Sequence, residues 1–256
     1  MYFCQDMSNS YFQFQQFTVR QEHCAMKVGT DGTLLGAWAH GGRTILDIGT
    51  GTGLVALMMA QRFPEAEVLA VDIDADAVSQ ALENVEASPF ARRIVVVKGD
   101  IRQPETLASP VGISVQKDAS GQPLFDAIVV NPPYFNDSLK SPDRQRTVAR
   151  HTTTLSYREL MAAAVRLLAD DGELSVVIPF DCRQRLQAEA LLAGLSLVRC
   201  CAVRTTPRKS PSRYLLAFRR HPAAVEQQEC VLETAPGVRS PWYHELTDAF
   251  YLPPSK

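Results

Sequence analysis

The chain has 256 residues, 46% of them hydrophobic and 21% charged, with a formal net charge of −2. These values are ordinary for a soluble globular protein, and the length allows one large α/β domain or two small ones. No apolar run approaches the ~20 residues needed to cross a bilayer, and the start, MYFCQDMSNS, lacks a basic region followed by an apolar core. Membrane insertion and secretion are therefore not expected, and the cytoplasm is the expected compartment.

Elements follow in chain order. Residues 1–16 fall outside the core pattern and are expected to form a flexible tail, with 17–256 as one domain. RTILDIG (43–49) is the first predicted strand, followed by LVALMMAQRF, where Leu54, Leu57 and Met58 stand at helical spacing. AEVLAVDID (66–74) is a second strand and ADAVSQALENVEA (75–87) a helix; RRIVVVKGD (92–100) and FDAIVVN (125–131) are the third and fourth strands. Residues 104–124 look like an extended insertion between those two strands. SYRELMAAAVRLLADDG (156–172) begins with a Ser156/Glu159 capping box and stops at Gly172, so a helix is expected across it. GELSVVIPF is the fifth strand and CRQRLQAEALLAG a further helix. LSLVRCCAV (195–203) and SRYLLAFR (212–219) are the last two strands, joined by RTTPRKSP.

Near-continuous Val/Ile/Leu strands alternating with helices predict a parallel sheet covered on both faces. The final pair has no helix between its strands, so one of the seven should run antiparallel. The expected fold is α/β and Rossmann-like. Within it, 17–42 precede the sheet, 43–220 form it and 221–256 extend beyond it.

The six cysteines (4, 24, 182, 200, 201 and 230) form no C-x-x-C pair and have no histidine at ligand spacing. Free, mostly buried thiols are expected, and no metal site. Charge is unevenly spread. Residues 139–220 carry 15 Lys/Arg against seven acids, and 199–220 have seven basic residues and no acid. A solvated surface would explain this, and so would a phosphate-backbone partner.

DIGTGTG (47–53) leaves the first strand and enters a helix. A dinucleotide fingerprint would place its third glycine at Leu54; here the glycines are Gly49, Gly51 and Gly53, and the Lys-Ser/Thr of a P-loop is missing. This G-x-G-x-G loop resembles that of the seven-strand S-adenosylmethionine-dependent methyltransferases. The resemblance implies S-adenosylmethionine as cofactor, with Asp47 serving its cationic amino acid end and the glycines letting backbone pass close to it. It also implies Asp72, at the end of the second strand, for the ribose hydroxyls. Asp100, at the end of the third, would receive the adenine amino group, with Ile73 and Ile101 as apolar walls.

Asn131-Pro132-Pro133-Tyr134 ends the fourth strand, where two prolines cannot continue a sheet. It resembles the N-P-P-Y motif of methyltransferases acting on planar amino groups of adenine, guanine or glutamine. An exocyclic amine is a poor nucleophile because its lone pair is delocalised. The Asn131 side-chain oxygen and the Pro132 carbonyl can each accept one N–H and steer the nitrogen toward a tetrahedral shape, while the prolines stiffen the acceptors. Tyr134 offers a face for the base to stack on.

AMKVGTDGTLLGAWA (25–39) and YHELTDAFYL (243–252) resemble the two ends of bacterial tRNA(adenine-N6)-methyltransferases acting on position 37 of valine tRNA. That resemblance covers nearly the whole chain and implies that the 25–39 stretch folds over the cofactor, with Asp31 as a contact. It makes the anticodon region of tRNA the expected partner, with Arg144, Arg146, Arg150, Arg208, Lys209 and Arg213 as candidate backbone contacts. Three alternatives stand beside it. One is glutamine methylation of a translation release factor, whose enzymes carry a separate helical domain where only 42 residues precede the first strand here. The others are methylation of another RNA or DNA amino group, and an inactive RNA-binding module on the same fold.

Overall fold

The computed structural model describes residues 10–22, 27–103, 107, 116–117, 119, 123–132 and 155–253. Two short strands, β1 (Tyr11–Gln13) and β2 (Thr18–Arg20), pair as a hairpin. Then come α1 (Thr30–Trp38), β3 (Thr44–Ile48), α2 (Leu54–Arg62), β4 (Glu67–Asp72), α3 (Ala75–Glu86) and β5 (Ile94–Lys98). After these follow β6 (Gln116–Lys117), β7 (Pro123–Val130), α4 (Tyr157–Leu167), β8 (Leu168–Pro179), α5 (Arg183–Leu192), β9 (Ser196–Arg204) and β10 (Arg213–Arg219). The chain closes with β11 (Glu226–Val231), a small β12–β13 pair (Glu233–Ala235 and Val238–Arg239) and α6 (Pro241–Thr247).

The central sheet has the order β11-β9-β10-β8-β7-β3-β4-β5, with the short β6 pairing antiparallel to β7. β10 runs antiparallel to both its neighbours and the others run parallel, so the reversed strand falls in the expected hairpin. β3 is buried along its whole length because helices cover both faces. On one face, Ile45, Val68 and Val129 pack with α1, α2 and the β1–β2 hairpin. On the other, Leu46, Leu69, Ile128 and Leu216 pack with α4 and α5. Ile48 lies level with Val71 and Val130, which brings the carboxyl ends of β3, β4 and β7 abreast. The chain runs outward from β3 to β5 and returns to β7 on the other side of β3, so the order reverses there. Ligands of such sheets bind at that crevice.

Three expectations are corrected. The helix from Ser156 keeps its capping box but ends at Leu167, not Gly172. β8 starts at once, and its pairing with β7 advances five residues, Leu168 to Glu173, against two, Phe125 to Ala127. Asp170 and Asp171 are thereby pushed into solvent. A Cβ at Gly172 would stand 2.9 Å from the Phe125 carbonyl oxygen, so this glycine permits close strand approach rather than a helix cap. An eighth strand on the sheet path, β11, extends it beyond residue 220; its EQQECV sequence is polar because it is an exposed edge. Residues 10–16 belong to the fold: Phe14 is 1% exposed in an aromatic cluster with Phe12, Phe17 and Tyr251. Most of 104–124 lies outside the described residues. Cys200, Cys201 and Cys230 are buried free thiols and Cys182 is half-buried and free, while Cys4 and Cys24 lie outside the described residues. Among the described residues no helix is long and apolar enough to cross a membrane.

The amino end of the sheet holds a buried charge cluster. Glu173 is 3% exposed and accepts from Arg199 at 2.7 Å and from Arg219 Nε at 3.1 Å, with His40 Nδ1 at 3.3 Å. Arg199 in turn lies 3.9 Å over the Trp38 ring. Burial alone would push the Glu173 carboxyl up, but the His40 hydrogen bond and the Arg199 charge outweigh it and hold it at about 2. Its stabilisation is therefore fully present above its ordinary 4.5 and is lost as pH falls toward 2. Glu173→Gln leaves Arg199 without its counter-charge and should cost about 3 kcal/mol in urea unfolding at pH 7. The wild-type and variant curves should converge as pH falls below 4.5; parallel curves would show that the ion pair is not the source.

Candidate active site

The loop between β3 and α2 turns through three left-handed glycines, Gly49, Gly51 and Gly53, at φ +69°, +56° and +81°. Gly53 is the residue from which α2 starts, and no side chain caps that helix. A non-glycine at these angles costs about 1–2 kcal/mol. A Cβ at Gly49 would meet no atom within 4 Å, so the bare backbone faces open space.

Two carboxylates hold this loop from below. Asp47, 2% exposed near the end of β3, accepts at Oδ2 from the Thr50 hydroxyl at 2.7 Å and the Ala56 amide at 3.1 Å. Asp72, ending β4, accepts at Oδ2 from the Gly51 amide at 2.9 Å and at Oδ1 from the Asp74 amide at 3.0 Å. Asn84 of α3 is 1% exposed and adds a third tie. Its Nδ2 donates to the carbonyls of Thr52 and Arg20, and its Oδ1 accepts from the Arg20 amide. Burial pushes the Asp47 carboxyl up to about 7 despite its two donors, with a further small push from the Asp72 charge.

The loop forms one wall of a cleft of about 290 Å³. Gly49, Thr50, Gly51 and Asp47 line it from the sheet, Asn131 from the end of β7, Lys27 from the segment leading into α1, Asp31 from the first turn of α1, and Arg213 from β10. Arg213 reaches Asp31 Oδ1 at 2.9 Å, an ion pair joining segments 182 residues apart. Asp31, Asp47, Gly49, Gly51 and Asn131 thus line one cleft. Lys27 and Thr50 were not singled out in the sequence. Thr50 sits inside the glycine motif, so its hydroxyl was a readable signal; Lys27 lies in the 25–39 stretch expected to fold over the cofactor.

Other candidates fall elsewhere. Asp100 is gripped by Arg102, whose Nε lies 2.9 and 3.0 Å from the two carboxylate oxygens and whose second terminal nitrogen lies 2.7 Å from Oδ2. That hydrogen bonding holds the carboxyl below its ordinary range. Ile73 is 40% exposed beside Asp72, whereas Ile101 is buried in the α4 side of the core. Arg208 and Lys209 are exposed at the β9–β10 turn, while Arg213 faces the cleft, apart from them. Pro132 is buried. Pro133, Tyr134, Arg144, Arg146 and Arg150 lie outside the described residues.

A mostly parallel sheet with its order reversing beside a glycine loop, one buried acid beneath that loop and an Asn-Pro at the neighbouring strand end are the features of a methyltransferase, and the family match agrees. Residues 33–196 match the methyltransferase small domain family. The chain also resembles, in fold alone, a predicted O-methyltransferase from Agrobacterium tumefaciens (TM-score 0.58, 19% identity, 86% of this chain and 96% of that one). It is 47% identical to a tRNA1(Val) (adenine(37)-N6)-methyltransferase from Phocaeicola vulgatus over 96% of this chain and 99% of that protein. A protein of the same name from Tolumonas auensis is 41% identical over 96% of this chain and 98% of that protein. The chain belongs to the tRNA1(Val) (adenine(37)-N6)-methyltransferase family, and its cofactor is S-adenosylmethionine.

The cleft fits that cofactor. Left-handed glycine backbone offers room beside a buried carboxyl, and charges of both signs, Asp31 and Arg213, suit an amino acid end carrying both. An Asp47 carboxyl poised at about 7 gives this fit a pH signature. A cation beside it favours the ionised form, so protonation must be reversed before binding at lower pH. Affinity for S-adenosylmethionine should rise on the order of tenfold from pH 5.5 to 7.5 by calorimetry, and Asp47→Asn should flatten the rise. A flat wild-type profile would place the charge elsewhere.

Proposed function

We propose that this protein methylates the N6 amino group of an adenosine in tRNA, the base at position 37 in the anticodon loop of valine tRNA. The observation that carries the reading is Asn131, positioned by the end of β7 in the same cleft as Asp47 and the glycine loop. Near-full-length similarity to proteins of that name supports the substrate.

Bound S-adenosylmethionine supplies an electrophilic methyl group. The chain supplies position and polarisation. Asp31, Asp47 and the backbone of Gly49, Gly51 and Gly53 hold the amino acid end. Asp72 accepts from the ribose hydroxyls while keeping the Gly51 amide, since each carboxylate oxygen has more than one acceptor direction. Asp100 receives the adenine amino group and shares its oxygens with Arg102, with Ile73 and Ile101 alongside.

On the substrate side, the Asn131 side-chain oxygen and the Pro132 carbonyl each accept one N–H of the target amine. Fixing both protons turns the lone pair out of conjugation and aims it at the methyl, and a proline-stiffened turn does this with little reorganisation. Tyr134 stacks on the base, which must leave its own stack at a cost of a few kcal/mol. Arg144, Arg146, Arg150, Arg208 and Lys209 meet the phosphate backbone. Arg213 stands with them from sequence, but its pairing with Asp31 supports a role nearer the cofactor.

Purified protein given labelled S-adenosylmethionine and tRNA lacking the modification should yield N6-methyladenosine on nuclease digestion. Label found only on a protein glutamine would sink the reading. Asn131→Ala should lower kcat by on the order of a hundredfold or more, by analogy with losing one preorganised polar group, with S-adenosylmethionine affinity within a few fold. Wild-type turnover by that variant would remove the polarising role. Affinity for tRNA should fall steeply between about 50 and 200 mM salt, and the Arg208→Ala/Lys209→Ala double variant should show a shallower slope.

A further inference from the structure

Beside the cleft, at the same carboxyl edge of the sheet, lies a second groove of about 520 Å³ lined by Phe180, Asp181, Arg183, Gln184, Gln187 and Tyr214. Its floor is a stacked ring pair. Phe180 and Tyr214 lie 5.4 Å apart at an interplanar angle of 21°, and the Arg183 guanidinium sits 4.7 Å from the Tyr214 centroid. Tyr214 is buried and Phe180 is 43% exposed, so the pair is anchored in the core and presents Phe180 to water. A core position would bury this ring.

We propose that Phe180 is a stacking platform for an unpaired nucleobase of the same RNA that presents its target adenosine to Asn131. The inference rests on the tRNA reading above and adds a second base-binding subsite to it. Three observations carry it. The first is placement. Val176 pairs with Val130, so Phe180, the first residue past the end of β8, stands three positions beyond the level of Asn131 on the adjacent strand, on the order of 10 Å away. A nucleotide close in sequence to the target spans that distance. The second is preorganisation: the ring is held flat against Tyr214 before any ligand arrives, so ordering it costs little.

The third is the rim. Amides of Gln184 and Gln187, the Arg183 guanidinium and the Asp181 carboxylate offer donors and acceptors that match the edge of a base turned out of its stack. Arg185, exposed on the same helix, and the exposed Arg208 and Lys209 of the neighbouring hairpin supply positive charge for the phosphates on either side. Single-stranded RNA is the partner whose flat, polar-edged units and regular negative charge meet all three features. A splayed loop flanking the target adenosine is such a strand.

Steady-state kinetics on unmodified tRNA transcript tests this. Stacking lost by Phe180→Ala should raise the KM for tRNA about fivefold to a hundredfold, with kcat at saturating tRNA, S-adenosylmethionine affinity and melting temperature retained. Phe180→Trp should restore the wild-type KM and Phe180→Leu should not, because an aliphatic chain has no face to stack on. Abasic replacements through the anticodon loop should then identify one nucleotide near the target whose base matters to the wild type but not to Phe180→Ala. An unchanged KM in Phe180→Ala, or full restoration by Phe180→Leu, overturns the platform while leaving the tRNA reading intact. Failure of the wild-type protein to methylate tRNA overturns that reading and the platform with it.

Discussion

The site depends on one constraint: a loop of left-handed glycines has to be held still where the central strands end. Glycines alone would leave it free to move, because they lose the most conformational entropy on ordering. Asp47 fastens the loop to α2 through Thr50 and Ala56, Asp72 fastens it to β4 through Gly51, and Asn84 fastens it to α3 and the N-terminal hairpin through Thr52 and Arg20. The cofactor side of the cleft is thereby set by the register of β3 with β4. Placing Asp47 this deep lifts its carboxyl pKa, a cost in stability that grows as pH rises from 3.8 toward 7 and is constant above.

The two ends of the sheet divide labour by their charge chemistry. At the amino end, Glu173 is surrounded by Arg199, Arg219 and His40, saturated by partners within the fold. At the carboxyl end, charges stand on the walls of a cleft, and the ends of β4, β7 and β8 carry Asp72, Asn131 and Phe180 along one edge of the sheet. Similar residue types are thus enclosed by partners at one edge and stand on open cleft walls at the other. Strand polarity decides which, because the reversal in strand order opens a crevice at the carboxyl edge.

Arg213 illustrates how the fold gives a residue a partner that the chain does not show. In the chain it belongs to a basic run and reads as one more phosphate contact. In the fold, alternation along β10 sends Tyr214 to the α5 face and Arg213 to the opposite one, where Asp31 meets it. Arg208 and Lys209, on the turn, keep the exposure that the charge pattern suggested.

What the sequence by itself determined was local and periodic. Buried strands announce themselves as unbroken Val/Ile/Leu runs, the Ser156/Glu159 cap as a spacing of three, and the glycine loop by residues that alone tolerate positive φ; each signal is complete within a few positions. The methyltransferase class and the cofactor followed from those signals together with the family resemblance. Tertiary structure decided whatever depends on residues distant in sequence. The helix after Ser156 ends at Leu167 because the next residues pair with β7, and polar EQQECV becomes a strand only because β9 offers it an edge. The pairing of Asp31 with Arg213 and the stacking of Phe180 on Tyr214 depend on side-chain geometry, which no periodicity encodes.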